Sequence, residues 1–136
     1  MKYLAMRTIL SAFVVLLLAA SFNLAADDAK KPSYSNKWRI ECSGKAHSDG
    51  TIVIKLSPKE GEPITIEVPV ANKTSENDVA KTLVKGLQAK LDKKAYHVER
   101  DDGEDVLVKK KGKSTNFGLE IVSNDVEHVR IHVEKE

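Results

Sequence analysis

Seven segments of the chain alternate apolar and polar residues at every second position, and this period constrains the fold more than any other feature. Such alternation is typical of a β-strand that buries one face and exposes the other. Pro69 has no backbone N–H to donate, so we expect its strand to lie at a sheet edge or to end there. The predicted strands cover residues 37–42, 50–57, 63–70, 95–100, 104–110, 117–123 and 126–134.

One segment in the middle of the chain has a different period. Its large apolar residues recur every four positions, which places them in a single stripe on a helix. We predict a helix over about 75–92, with Thr74 or Ser75 as its N-cap. Gly86 costs this helix about 1 kcal/mol relative to alanine, and we interpret it as a point of close approach to a sheet. The stripe comprises Val79, Leu83, Leu87 and Leu91.

The order of these elements predicts the fold class. It is β-β-β-α-β-β-β-β, with one-sided strands and a single amphipathic helix. Neighbouring strands joined by short turns favour antiparallel pairing. We therefore predict an α+β fold with a mainly antiparallel sheet of about seven strands, in which the helix packs on one face.

The first 26 residues have the order of a secretory signal peptide. Lys2 and Arg7 precede an uncharged apolar run over residues 8–22, and small residues follow it. The run has about 15 residues, fewer than the ~20 that span a bilayer as a permanent helix. An uncleaved membrane anchor and a cut near Ser21 are the alternatives to cleavage after Ala26.

Cleavage would divide the chain into three parts. We predict a cleavable Sec-type signal peptide over 1–26, a flexible leader over 27–36 and a single globular domain over 37–136. Removing Lys2 and Arg7 from the 22 basic residues leaves 20, which equals the number of acidic residues. This neutral chain gives no electrostatic case for binding nucleic acid. No permanent membrane span is expected after cleavage.

Cys42 is the only cysteine, so a disulfide within the chain is impossible. It alternates with Trp38 and Ile40 on the apolar side of a predicted strand, which favours a buried, inert thiol. Pairing between two chains is the alternative. A signal peptide before a cysteine-poor domain fits a bacterial protein that is periplasmic or extracellular.

The segment ERDDGEDVLVKKKGK, residues 99–113, places five acidic residues around one glycine. A three-residue loop over 101–103 would align the neighbouring apolar residues on one face of a hairpin. We therefore interpret the acidic residues as a solvated turn. The predicted cross-strand pairs are Arg100 with Glu104, Val98 with Val106, and Tyr96 with Val108.

A cation site is the alternative interpretation of this turn. Asp101, Asp102 and Asp105 supply carboxylate oxygens, which calcium prefers as ligands. The spacing of an EF-hand loop is absent from the segment. These three aspartates are therefore weak metal candidates.

A lysine cluster follows the acidic turn. Gly112-Lys113-Ser114 resembles the end of a P-loop, but position 107 is leucine where that motif needs glycine, and a strand pattern follows. We interpret the cluster as the exposed end of a hairpin. Contact with an anion or an acidic polymer is the alternative. The binding candidates are Lys109, Lys110, Lys111 and Lys113.

Histidines are the other candidate metal ligands. His128, Arg130 and His132 alternate with apolar residues in the predicted last strand, and so share its polar face. Two residues four apart in a strand are about 13 Å apart, too far to share one metal. His97 would have to join one of them from another strand. We expect no metal here, with His97, His128 and His132 as weak candidates.

Catalytic motifs are absent from the sequence. The patterns G-x-S-x-G, H-E-x-x-H and S-x-x-K do not occur. Two carboxylates in a hairpin do not form a glycosidase pair without a cleft. We predict no enzymatic activity and no cofactor. Asn72 begins a glycosylation sequon, which matters only in a eukaryotic secretory pathway.

The run from PITIEVPV through TSENDVAKTLVKGLQAKL to YHVERDDGEDVLVKKKG, residues 63–112, resembles the β-α-β-β unit of flagellar hook-associated and phage tail proteins. In those proteins a strand leads into a helix capped by Thr or Ser, and a hairpin follows. The Sec-type leader of this chain departs from that pattern. The resemblance implies a non-catalytic interaction module.

Three classes of function are compatible with these features. We expect a small exported binding or structural module that engages another exported protein through a sheet face or an exposed edge. Exposed strand residues such as Arg130 and Lys109 would then contribute to binding. The alternatives are a periplasmic protein that binds a metal or small ligand through histidines or the acidic turn, and a small enzyme without a recognisable motif.

Overall fold

The computed structural model describes residues 31–136, so the predicted signal peptide and most of the predicted leader lie outside it. Within the described part, the predicted α+β class and element order are confirmed. The elements are β1 Lys37–Ser43, β2 Gly50–Pro58, β3 Ile64–Val70, α1 Glu76–Lys90, β4 Tyr96–Asp101, β5 Asp105–Lys110, β6 Phe117–Asn124 and β7 Arg130–Lys135.

The strands divide into two antiparallel sheets. The four-stranded sheet has the order β4-β5-β1-β7, and the three-stranded sheet has the order β3-β2-β6. β3, which contains Pro69, is an edge strand as predicted. β1 lies between two strands from the second half of the chain, so the four-stranded sheet depends on long-range pairing.

The inward faces of both sheets and the apolar stripe of α1 form one core. Strand alternation decides which side chains enter it: Trp38, Ile40 and Cys42 of β1 are all buried, as predicted. The Trp38 Nε1 donates a hydrogen bond of 2.7 Å to the carbonyl of Phe117. This bond satisfies the indole N–H, which burial would otherwise leave without a partner.

The helix connects β3, an outermost strand of the three-stranded sheet, to β4, an outermost strand of the four-stranded sheet. It begins after Ser75, whose side chain accepts a hydrogen bond of 3.3 Å from the Asp78 N–H. A Cβ added at Gly86 would lie 2.8 Å from Val68 Cγ2 on β3, which confirms the predicted close approach. Further along the helix, the Gln88 Nε2 donates a 3.0 Å hydrogen bond to the carbonyl of Val98 on β4.

The register predicted for the β4–β5 hairpin is wrong by two residues. Asp101 pairs with Asp105, so the connection is 102–104 instead of 101–103. A shift of two residues keeps every side chain on its predicted face, so burial alone could not separate the two registers. The observed pairs include Arg100 with Val106, Val98 with Val108, and Tyr96 with Lys110.

The last two strands differ from their predicted form. β7 begins at Arg130, and His128 precedes it in the connection with a φ of 70°. The prediction of His128 on the polar face of the last strand is therefore wrong. In β6, a β-bulge opposite Val53 and Ile54 leaves Val122 without a partner in β2. The bulge explains why this valine is 54% exposed.

The end of the predicted leader is attached to the domain. Ser35 and Phe117 exchange backbone hydrogen bonds of 3.0 and 2.9 Å. The carbonyl of Asn36 accepts another from Lys110. Ordered pairing of the chain therefore starts before Lys37. No helix in the 31–136 part of the protein is both long and apolar enough to cross a bilayer.

Candidate functional site

The outward face of the four-stranded sheet carries polar or charged side chains at almost every position, and we call it the charged face. It gathers many of the sequence candidates, including His97, His132, Lys109 and Arg130. Leu107 is its one apolar member and is 5% exposed. The charged face comprises Lys37, Arg39, Glu41, Ser43, His97, Glu99, Asp101, Asp105, Leu107, Lys109, Arg130, His132, Glu134 and Glu136.

Arg39 is the centre of an ion-pair network on this face. Its Nη1 donates hydrogen bonds of 3.2 Å to Asp101 Oδ2 and 2.7 Å to Asp105 Oδ2. Its Nε and Nη2 each donate a 3.1 Å bond to the carboxylate of Glu136, a bidentate arrangement. The bonds that Arg39 donates to Glu136, and then the bond to Asp105, raise the pKa of Arg39. Through Arg39 on β1, the network links β4 and β5 to Glu136, which follows β7.

This network engages two of the three aspartates predicted as weak metal candidates. Asp101 and Asp105 oppose each other across the hairpin, and the guanidinium of Arg39 offsets their mutual repulsion. Asp102 is exposed in the turn, with a φ of 46°. Among residues 31–136, no three histidine, cysteine or acidic side chains are grouped so that they could hold a metal ion. The three aspartates therefore do not converge.

The three candidate histidines also lie apart. The Nε2 of His97 lies 3.1 Å from Glu99, and that of His132 lies 3.6 Å from Glu134. His128 instead lies against His47, a residue that no sequence pattern singled out, with 3.9 Å between their ring centroids. Both of these histidines are exposed, and the backbone bond from His47 N–H to the Glu127 carbonyl holds their two connections together.

The four lysines of the cluster do not form one group: Lys109 lies on the charged face, and the others lie at the end of β5 or in the connection after it. Lys109 lies on the charged face, where its Nζ is 3.0 Å from Glu99. The hydrogen bond from Lys109 is the main cause that lowers the pKa of Glu99. The Nζ of Lys111 donates to the carbonyl of Lys93 at 2.9 Å, which fixes the connection after β5. Lys113 is exposed in that connection, and Lys110 is partly buried at the end of β5.

Cys42 has the environment that the sequence predicted. Its side chain is 1% exposed, and burial raises the pKa of the thiol to about 12. A thiol that ionises so poorly is a weak nucleophile at neutral pH. It lies beneath an open depression of about 650 Å³ at the end of the charged face. That depression is lined by Glu41, Ser43, Glu104, Asp105, Arg130 and His132, among others.

The outer edge of β7, at the side of the four-stranded sheet, has no partner strand in the described part of the chain. β7 is the last strand of its sheet and pairs only with β1 in the described part of the chain. The carbonyl of Lys37 accepts a bond from the Glu136 N–H, so even-numbered residues of this segment direct their backbone groups toward β1. Odd-numbered residues direct theirs away from β1. The backbone groups of Ile131, Val133 and Lys135 thus form what we call the β7 edge.

The β7 edge differs from the outer edge of β4. At β4, the backbone carbonyl of Val98 receives the Gln88 side chain of the helix. At β7, the side chains of Ile131 and Val133 are only partly buried against the core. No ion pair within residues 31–136 includes Arg130, at the start of β7. The β7 edge therefore combines unpaired backbone, accessible apolar side chains and an unused charge.

Sequence reasoning missed Arg39, His47 and the β7 edge. Arg39 occupies an outward strand position, as many lysines of this chain do. Strand alternation therefore does not distinguish it as the centre of an ion-pair network. A guanidinium, unlike a lysine ammonium, can bind several carboxylates in a fixed geometry. The presence of an arginine at this strand position was therefore a signal for a network of carboxylates. That β7 would be the outermost strand of its sheet depends on long-range pairing and had no local signal, unlike β3, which Pro69 marked as an edge strand.

No family model matches the sequence, and a search of the curated proteins finds no significant match.

Proposed function

We propose that this protein is a small exported, non-catalytic binding module, which engages an extended segment of a protein partner along the β7 edge. In strand addition, a partner's backbone continues the hydrogen-bond ladder of an exposed sheet edge. The observation that supports the proposal is the unpaired backbone of Ile131, Val133 and Lys135 beside two partly buried apolar side chains.

The charged face would supply specificity next to this edge. Arg130, His132 and Glu134 project from β7 on that face and are exposed. Side chains directly opposite each other on paired strands lie within about 5.5 Å, so opposite charges there favour one partner and one register. Because these groups are exposed, salt should weaken the interaction. Lys109, two strands away and paired with Glu99, should contribute less than Arg130.

Site-specific photocrosslinking in the host cell tests this proposal. A photoreactive residue at Lys135 should give a discrete adduct with a protein partner, because its backbone lies on the β7 edge. The same residue at Lys85, exposed on the helix, is the matched control. Val133→Pro should abolish the adduct, since it removes an N–H from the edge. Adducts that form equally at positions 135 and 85 would contradict the proposal.

Metal binding keeps one specific observation in its favour. The imidazoles of His47 and His128 lie close together, with 3.9 Å between their ring centroids and 32° between their ring planes, and imidazole is a good ligand for zinc and copper. Calorimetric titration with Zn²⁺ and Cu²⁺ tests this second candidate. A metal site at this pair requires a binding heat that His47→Ala removes and that His97→Ala leaves intact.

A further inference from the structure

We propose that the partner which fits the β7 edge is a second copy of this chain, paired antiparallel with its own β7 about a two-fold axis at His132. This inference rests on the proposed function and names its partner. The pairing would join two four-stranded sheets into one continuous eight-stranded sheet, with both charged faces on the same side. Three independent properties of the 130–136 segment support it.

The first property is the direction of the backbone groups. Strand pairing across the β7 edge joins residues whose backbone groups point away from β1 in both copies. Odd-numbered residues of one copy must therefore oppose odd-numbered residues of the other. A two-fold axis at His132 satisfies this condition. Ile131 of each copy then forms a hydrogen-bonded pair with Val133 of the other. Even-numbered residues occupy the non-hydrogen-bonded pairs, where side chains approach most closely.

The second property is the match of apolar side chains. Ile131 and Val133 are partly buried against the core of their own domain. With the axis at His132, each isoleucine packs beside a valine of the second copy, and both pairs lie on the inward face. Cross-strand pairs of β-branched residues stabilise a sheet. The pairing would therefore cover the apolar side chains that β7 leaves accessible.

The third property is charge complementarity on the outward face. An axis at His132 places Arg130 opposite Glu134 of the second copy, and the symmetry produces this pair twice. Arg130 has no ion pair within the described residues, whereas Glu134 has only a 3.6 Å contact with His132. Both groups therefore remain available. His132 of one copy opposes His132 of the other. Each imidazole lies near the carboxylate of Glu134 in its own chain.

Other registers match less well. An axis at Val133 would oppose Ile131 to Lys135 and Arg130 to Glu136. Glu136 already binds Arg39 and Lys37 in its own chain. An axis at Glu134 would place two glutamates against each other, which is unfavourable. The axis at His132 is thus the register that pairs both apolar and charged residues.

The contact is short, so the dimer should be weak. β7 has 6 residues, and an interface of one such strand falls at the small end of specific interfaces. We expect a monomer–dimer equilibrium in the micromolar range, about 1–100 μM. Sedimentation equilibrium of the purified protein over this range measures it directly.

Charge reversal tests the interface. Arg130→Glu and Glu134→Arg should each weaken dimerisation about tenfold or more, because each places like charges in both symmetric pairs. The double variant R130E/E134R restores opposite charges and should recover most of the affinity. Lys113→Glu, an exposed reversal outside β7, is the matched control and should leave the dimer unchanged.

An engineered disulfide tests the register. With the axis at His132, two His132→Cys side chains oppose each other at a Cα separation of about 4.5 Å, within the range of a disulfide. Mild oxidation should link H132C into a covalent dimer, whereas Glu134→Cys should stay monomeric. The native Cys42 is buried and should not compete in the folded protein.

The outcomes separate this inference from the proposed function. A protein that remains monomeric to about 1 mM, or a dimer that R130E and E134R leave intact, overturns pairing through the β7 edge. Faster crosslinking of E134C than of H132C overturns the register. If the protein is monomeric while Lys135 still crosslinks to a different protein, the self-pairing inference fails and the proposed function stands.

Discussion

Arg39 donates a hydrogen bond of 2.7 Å to Asp105, which lies 66 positions later in the chain. The same Nη1 reaches Asp101 at 3.2 Å, on the strand beyond. Two aspartates that oppose each other in a hairpin would otherwise destabilise it. The arginine from the neighbouring strand converts this repulsion into a cross-strand link, and so supports the register that the hairpin adopts.

Removing this guanidinium should destabilise the fold. We expect Arg39→Met to lower the free energy of unfolding by about 1–3 kcal/mol, because Asp101 and Asp105 would then face each other without a counter-charge. The arginine side chain is only 17% exposed, so solvent replaces the lost bonds incompletely. Urea unfolding at neutral pH measures the change.

Lys85→Met is the control for this substitution, since Lys85 is exposed on the helix and forms no ion pair within residues 31–136. It should change stability by less than about 0.5 kcal/mol. Arg39→Lys should lie between the two variants, because an ammonium cannot bind three carboxylates in the same planar geometry. Equal stability of R39M and the wild type would show that the network is not stabilising.

The carboxylates of the charged face predict acid sensitivity. Hydrogen bonds from Arg39 and then Lys37 lower the pKa of Glu136, and those from Lys109 and then His97 lower that of Glu99. A group with a lower pKa in the folded state contributes stability above its ordinary value of 4.5. That contribution is lost as pH falls through the lowered pKa. Stability should therefore decrease below about pH 4.5.

The variant Glu136→Gln isolates one part of this effect. It should be less stable than the wild type at pH 7, and the difference should shrink as the pH falls below 4.5 and through the lowered pKa of Glu136, because the wild-type carboxyl then also becomes neutral. Thermal unfolding followed by circular dichroism at several pH values measures both curves. A difference that stays constant across the range would exclude Glu136 as a source of the pH dependence.

Periodicity predicted which elements exist, because burial imposes it locally. The alternation around Ile40 and the four-residue spacing around Leu83 both follow from one face of each element entering the core. The pairing of strands is a different problem. Nothing near β1 in the sequence indicates that β5 and β7 flank it, since those contacts join distant segments.

The candidate site was predictable only in part. The outward positions of His97, Lys109 and His132 follow from strand alternation, and the structure places all three on the charged face. The register of the acidic hairpin could not be derived, because a two-residue shift preserves every face. The position of His128 could not be predicted from strand alternation, because this residue adopts a left-handed backbone conformation in the connection before β7.

This left-handed conformation gives a prediction at His128. A φ of 70° is unfavourable for a residue with a Cβ, and glycine adopts it readily. We expect His128→Gly to be more stable than His128→Ala by about 1 kcal/mol, because both variants lose the contact with His47 but only glycine relieves the strain. Chemical unfolding of the two variants measures this difference. Equal stabilities would show that the connection relaxes around alanine.

Gly86 gives the opposite expectation from an ordinary helical glycine. In an exposed helix, Gly→Ala stabilises by about 1 kcal/mol. Here an added Cβ would lie 2.8 Å from Val68 Cγ2, so Gly86→Ala should instead destabilise the protein by about 1–3 kcal/mol. Urea unfolding measures the sign, which distinguishes close packing from helix propensity.

A double-mutant cycle identifies Val68 as the cause. Val68→Ala alone should be destabilising, because it removes two buried methyl groups. In the V68A background, however, Gly86→Ala should cost much less or should stabilise the protein, since the atoms that block the new methyl group are gone. The coupling between the two substitutions should exceed about 0.5 kcal/mol. Additive effects would mean that the penalty arises from another contact of the helix, and that Gly86 does not determine how closely α1 approaches β3.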